Sequence, residues 1–226
     1  MSLVIKICGL STPDALDAAL AAGADMVGFV FFPPSPRHID FTTAVALGRR
    51  VRGRAQKVAL TVDTDDALLD AVVEALRPDL LQLHGREQPA RVTAVKQRYR
   101  LPAMKAIAVE TKGDLAAAAA YVRVAEWLLF DARPPRAATR PGGLGRPFDW
   151  SLLQAADPGV PFMVSGGLDA SNVAEALRIT AAPGVDVSSG VERAPGEKDP
   201  DKIRAFVRAA REAAAHFAVK PVTSPA

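Results

Sequence analysis

Eight short runs rich in β-branched and other apolar residues recur along the chain: Val4 to Cys8, Met26 to Phe32, Val58 to Val62, Leu80 to Leu83, Ala103 to Val109, Trp127 to Phe130, Pro161 to Val164 and Val185 to Val187. They begin near residues 3, 25, 57, 80, 103, 126, 161 and 184, so the successive intervals are 22, 32, 23, 23, 23, 35 and 23 residues. Such an interval is too long for a hairpin and suits a strand, a helix and two short connections, which makes neighbouring strands parallel. The intervening segments agree, since Ala15 to Ala22, Ala67 to Leu76, Val173 to Leu177 and Ile203 to Ala215 carry apolar residues at helical spacing. Thr12-Pro13 and Asp199-Pro200 place a capping oxygen before a proline at the first helical position, and Gly23 can close the first helix. Eight such units predict an α/β fold, a (β/α)8 TIM barrel forming a single domain over residues 1–217. A doubly wound open sheet rarely has eight evenly spaced units and fits less well. Residues 218–226, with two prolines and no periodic pattern, read as a disordered tail.

Composition removes several classes of function. The 226 residues are 49% hydrophobic and 23% charged, as in an ordinary soluble globular protein. A formal net charge of +3 is too small an excess to argue for a nucleic-acid partner. No 18-residue uncharged apolar run occurs, and the amino-terminal apolar stretch is interrupted by Lys6 and lacks a cleavage-type site, so neither membrane anchoring nor export is expected. The single cysteine, Cys8, excludes an internal disulfide and points to a reduced, cytoplasmic setting. Three scattered histidines offer no metal spacing, and Cys8-Gly9-Leu10-Ser11-Thr12 is no dinucleotide fingerprint. Neither a metal nor a cofactor is predicted.

The two long intervals direct attention to particular loops. In a barrel of this kind the connections after the strands form the active face, so insertions after the second and sixth strands enlarge it. The first insertion holds Pro33-Pro34-Ser35-Pro36-Arg37-His38. The second, Ala132 to Pro147, holds Arg133, Arg136, Arg140 and Arg146 with Gly142, Gly143 and Gly145, which suggests a lid over an anionic substrate; a solvated loop without a role is the plain alternative. The seventh strand leads into Ser165-Gly166-Gly167-Leu168 and the eighth into Ser188-Ser189-Gly190-Val191-Glu192. Paired small-residue loops at these two strands predict a phosphate site, and hence a small phosphorylated substrate.

Cys8 and Asp131 end the first and sixth strands, on the same face of the barrel. A lone cysteine is commonly a small buried hydrophobe and an aspartate after a strand commonly a cap, but at this face a thiol and a carboxyl can divide proton transfer between them. Lys6 shares its side of the strand with Cys8, where it either favours the thiolate or, the slightly preferred reading, pairs with an interior carboxylate. Gln82 and His84 share one side of the fourth strand, so His84 either meets ligand or is a satisfied packing histidine. Arg37 is the lone cation of its loop, with a planar fork suited to a carboxylate, whereas His38 and His216 read as surface residues.

Taken together, Lys6-Ile7-Cys8-Gly9, Ser35-Pro36-Arg37, Gln82-Leu83-His84-Gly85, Phe130-Asp131, Gly142 to Gly145 with Phe148-Asp149-Trp150, Ser165-Gly166-Gly167-Leu168 with Asn172-Val173, and Asp186 to Glu192 with Pro195-Gly196 and Lys198-Asp199 resemble, in order, the phosphoribosylanthranilate isomerases of tryptophan biosynthesis. The resemblance implies a cofactor-free Amadori rearrangement of N-(5-phosphoribosyl)anthranilate to 1-(2-carboxyphenylamino)-1-deoxyribulose 5-phosphate. It implies Asp131 as general acid and Cys8 as general base, Arg37 on the anthranilate carboxylate, and His84 and Asp186 against the reacting part of the substrate. Gly166, Gly167, Ser188, Ser189 and Gly190 would hold the phosphate. Leu144 departs from the family, which commonly has a small hydroxyl residue there, and so removes a hydroxyl contact from the lid. A related phosphosugar isomerase with two carboxylates would need an acid where Cys8 stands, and a silent phosphosugar-binding barrel would need no acid and base pair. Monomer and homodimer both remain open.

Overall fold

The computed structural model describes residues 3–133, 142–143, 145, 147–154 and 156–217. Eight strands close into a parallel barrel: β1 (Val4–Cys8), β2 (Met26–Phe31), β3 (Gln56–Thr61), β4 (Leu80–Leu83), β5 (Ala103–Val109), β6 (Trp127–Ala132), β7 (Phe162–Val164) and β8 (Gly184–Val187). The seam pairs β1 with β8 in register Lys6↔Asp186, and on its other side β1 meets β2 as Cys8↔Gly28. All eight expected strands are present, with ends shifted by a residue or two. The one shift that matters is at β6, which continues through Asp131 to Ala132, so Asp131 is held by the ladder itself.

Helices α1 (Pro13–Ala22), α2 (Phe41–Val51), α3 (Asp66–Leu76), α4 (Pro89–Tyr99), α5 (Lys112–Ala118), α6 (Val173–Thr180) and α7 (Pro200–His216) surround the barrel. Their starts follow from side-chain caps that satisfy otherwise unpaired N–H groups. Thr12 Oγ1 accepts from Ala15 N, and the Asp199 carboxylate accepts from the N–H groups of Asp201 and Lys202, in both cases next to the expected proline. Asp40 and Asp65 do the same for α2 and α3. Gly23 closes α1 in the left-handed region. The array is not fully regular: between β6 and β7 the described residues contain a 3₁₀ turn, Trp150–Leu153, in place of an α-helix. After β8 a 3₁₀ turn, Ser189–Val191, and an antiparallel hairpin, β9 (Glu192–Ala194) and β10 (Glu197–Lys198), precede α7.

Strand alternation divides the apolar residues into two bodies. Ile5, Ile7, Val27, Phe29, Leu81, Phe130, Val164 and Val185 pack outward with the helices in the main core. Met26, Val58, Leu80, Met104, Ala106, Leu129 and Met163 form a separate cluster that fills one end of the barrel interior. The inward positions further along the strands are mixed: Lys6, Gln82 and Asp186 are buried there beside a small apolar cluster of Cys8, Val30 and Leu60. Among the described residues no helix is long and apolar enough to cross a membrane. The tail 218–226, the arginines at 136, 140 and 146, and Leu144 lie outside the described residues.

Candidate active site

At the carboxyl ends of the strands opens a cavity. Cys8, Arg37, His84, Asp131, Gly166, Gly167, Asp186, Ser188 and Ser189 all line it, so the structure brings together nearly every residue expected from the sequence. Gly190 does not line it. A Cβ on Gly190 would fall 1.9 Å from the Leu168 carbonyl oxygen, so this glycine is where the loops after β7 and β8 touch. Gly166 and Gly167 both take left-handed backbone, at φ 81° and 67°, and Asn172 Nδ2 fixes that turn by donating to the Gly167 carbonyl at 2.9 Å. The N–H groups of Gly167, Ser189 and Gly190 have no acceptor among the described residues.

One wall is apolar. Val30, Leu60, Phe32 and Val62 cluster around Cys8 on the β2–β3 side, facing the polar loops of β7 and β8. Sequence reasoning missed this wall, because a strand residue that lines a cavity has the same chemistry as one that fills a core.

Cys8 is 4% exposed. Burial pushes its thiol above the ordinary range; Lys6 and Lys198 oppose that rise and Asp186 adds to it. Lys6 has the partner expected of it: its fully buried ammonium bonds Asp186 Oδ1 at 2.8 Å, while Ser165 Oγ donates to Oδ2 at 3.0 Å. Both Asp186 oxygens are therefore engaged within the protein.

Asp131 Oδ1 accepts from Ala132 N at 2.8 Å, and Oδ2 lies 3.4 Å from His84 Nε2. Gln82 Nε2 is 2.9 Å from His84 Nδ1. With the amide nitrogen facing the ring the imidazole proton sits on Nε2, toward Asp131; with the amide turned over, so that Oε1 faces the ring, it sits on Nδ1. Gly142 closes over this pair, since a Cβ there would stand 2.4 Å from Asp131 Oδ2 and 2.9 Å from His84 Nε2.

Arg37 already has a carboxylate. Its Nε and Nη2 donate to Glu192 at 2.7 and 2.8 Å, and Nη2 also reaches the Gly143 carbonyl at 3.2 Å, while Nη1 has no hydrogen-bond partner among the described residues. Lys198 joins this cluster, with Nζ 2.8 Å from both Glu192 Oε1 and the Ser188 carbonyl. Burial holds the Lys198 ammonium down, to about 8, against the pull of Glu192. Neither Glu192 nor Lys198 had an assigned part, and the signal available was their opposite charge either side of the Pro195-Gly196 turn. Arg133, expected at the mouth, instead pairs with Glu110 and Asp114 beside α5. His38 and His216 are exposed, as expected.

A family model described as N-(5'-phosphoribosyl)anthranilate (PRA) isomerase matches residues 5–209. The chain belongs to the N-(5'-phosphoribosyl)anthranilate isomerase family. Relatives of that name from Bradyrhizobium sp. (strain ORS 278) and Rhodopseudomonas palustris (strain ATCC BAA-98 / CGA009) are 66% and 65% identical over 213 residues, which is 94% of this chain and 97% and 100% of theirs. The crystal structure of phosphoribosyl anthranilate isomerase from Thermotoga maritima is 32% identical, covers 93% of this chain and 99% of its own, and superposes with a TM-score of 0.83. A phosphoribosyl anthranilate isomerase in complex with reduced 1-(o-carboxyphenylamino)-1-deoxyribulose 5-phosphate is 31% identical over 93% of this chain and 99% of its own, with a TM-score of 0.80. Membership of the phosphoribosylanthranilate isomerase family makes this chain an isomerase of tryptophan biosynthesis on a TIM barrel.

Proposed function

We propose that the chain converts N-(5-phosphoribosyl)anthranilate to 1-(2-carboxyphenylamino)-1-deoxyribulose 5-phosphate by an Amadori rearrangement, with Asp131 as general acid and Cys8 as general base. The observation that carries this is one cavity with an apolar wall at one side, an anion-accepting pair of loops at the other, and a carboxyl and a thiol between. The aryl ring lies against Val30, Phe32, Leu60 and Val62, with its carboxylate on Arg37 Nη1. The phosphate lies on the N–H groups of Gly167 and Ser189.

Asp131 gives its proton to the ribose ring oxygen as the bond from that oxygen to C1 breaks, leaving a protonated Schiff base between C1 and the aryl nitrogen. Cys8 then takes the proton from C2. The electrons released form the C1–C2 double bond and neutralise the nitrogen, and the resulting enolamine takes a proton at C1 as its C2 hydroxyl becomes a ketone. The buried thiol holds its proton above the ordinary range, so the base acts through a small thiolate fraction and kcat/KM should rise as the pH rises toward that range.

The test follows freshly generated phosphoribosylanthranilate by its fluorescence. Cys8→Ala and Asp131→Asn should each lower kcat by about 10²- to 10⁴-fold with unchanged circular dichroism. Near wild-type turnover in either variant would sink the assignment of that residue.

A further inference from the structure

Gly28 sits on β2 directly opposite Cys8, and its missing side chain exposes an arrangement on β1. A Cβ at that position would lie 3.0 Å from Cys8 Sγ and 3.1 Å from Lys6 Nζ, so thiol and ammonium converge on one point inside the barrel. Lys6 is fully buried, with Asp186 as the carboxylate that compensates it. Asp186 is in turn held at its other oxygen, where Ser165 Oγ donates to Oδ2 at 3.0 Å. The sulfur and the ammonium thus both stand on β1 and the carboxylate on β8, with the ammonium bonded to the carboxylate and meeting the sulfur over Gly28.

We propose that Lys6 is a positioning residue for the reaction, its ammonium being the charge that stabilises the Cys8 thiolate, and that Asp186 sets how much of that charge the sulfur feels. This rests on the reading of Cys8 as the base. The alternative is that Lys6 and Asp186 merely staple β1 to β8. The two roles differ in sign. A staple loosens when either partner is removed, and both losses act on Cys8 in the same direction. An electrostatic pair acts oppositely: loss of the ammonium disfavours the thiolate, and loss of the carboxylate favours it. The other groups that face Cys8 are few. Among the described residues, Lys198 of β10 acts in the same sense as Lys6; Arg37, His84 and Asp131 line the same cavity; and the β2–β3 side presents the uncharged Gly28, Val30, Phe32, Leu60 and Val62.

Cys8 is the only cysteine in the chain, so ultraviolet absorbance of the thiolate, with Cys8→Ala as the blank, titrates this one sulfur in the intact protein. Lys6→Met should move the titration midpoint upward by about one to three pH units, Lys6→Arg should leave it near wild type, and Asp186→Asn should move it downward. The alkaline rise of kcat/KM should shift with the midpoint in each active variant. An unmoved midpoint in Lys6→Met, or shifts of the same sign in Lys6→Met and Asp186→Asn, would overturn the proposal. Should Lys6→Met fail to fold, the Asp186→Asn and Lys6→Arg midpoints still decide, since an upward or absent shift in Asp186→Asn contradicts it. Full turnover in Cys8→Ala would instead remove the base itself, whatever the titration shows.

Discussion

The thiol and carboxyl sides of the cavity are built differently. Cys8 is surrounded by strand residues: Lys6 on its own strand, Gly28 on the next, and Asp186 across the seam. Asp131 also sits on a strand, but its surroundings include loop residues, with Gly142 over the carboxylate and Gly166 beside it. The thiol is thus set among paired strands, while the carboxyl depends also on connections, which can differ without disturbing the barrel.

Gly142→Ala tests this contrast most severely. A methyl group has no room beside Asp131 and His84, so kcat should fall by about 10- to 100-fold while the Cys8 titration stays in place. A shifted thiol titration would show that the two sides are one unit. Next in size is Glu192→Gln, which weakens the grip on Arg37 and should raise KM about tenfold with little change in kcat, since the carboxylate proposed to lie on Arg37 is remote from the bonds that change. Equal losses in kcat would place Arg37 nearer the chemistry.

Lys198 yields a smaller, pH-dependent effect. Its ordinary value is 10.5 and burial lowers it to about 8, so between these limits the folded chain binds fewer protons than the unfolded one. Its contribution to stability therefore rises with pH across that window, and the cost of charging it in the folded state is borne below about pH 8. Lys198→Met should remove this rise, which denaturant midpoints near pH 8 and pH 10 would show. The smallest effect belongs to Arg133→Ala. Its pairs with Glu110 and Asp114 are on the outer surface, so stability should change by at most about 1 kcal/mol and kinetics not at all. A change in KM would bring this end of the loop into the site.

How far the sequence could be read depended on the range of the interaction concerned. Strand spacing and caps are local, so the barrel, the Thr12 and Asp199 caps and the inward side of Cys8 and His84 were all visible in short stretches. The partner of Arg37 was not, because Glu192 lies 155 residues away and reaches it only once the hairpin after β8 has formed. That hairpin itself broke the pattern being followed, as a short antiparallel element within a parallel array. The helix missing between β6 and β7 had no clear substitute in the residue pattern, and a 3₁₀ turn of four residues leaves little periodic trace. Lys6 was read as either of two things and is in contact with both: its carboxylate is Asp186, and its ammonium stands beside the sulfur.

The Lys6–Asp186 bond also joins residues 180 positions apart, one on the first strand and one on the last. Joining chain segments so far apart costs loop-closure entropy, and contacts of this range form late in folding. The environment of the thiol is consequently incomplete until β8 docks against β1. In a refolding experiment, the return of the native Cys8 titration would mark the moment when the cylinder shuts, and any intermediate with seven strands in place would hold a sulfur without its neighbouring ion pair.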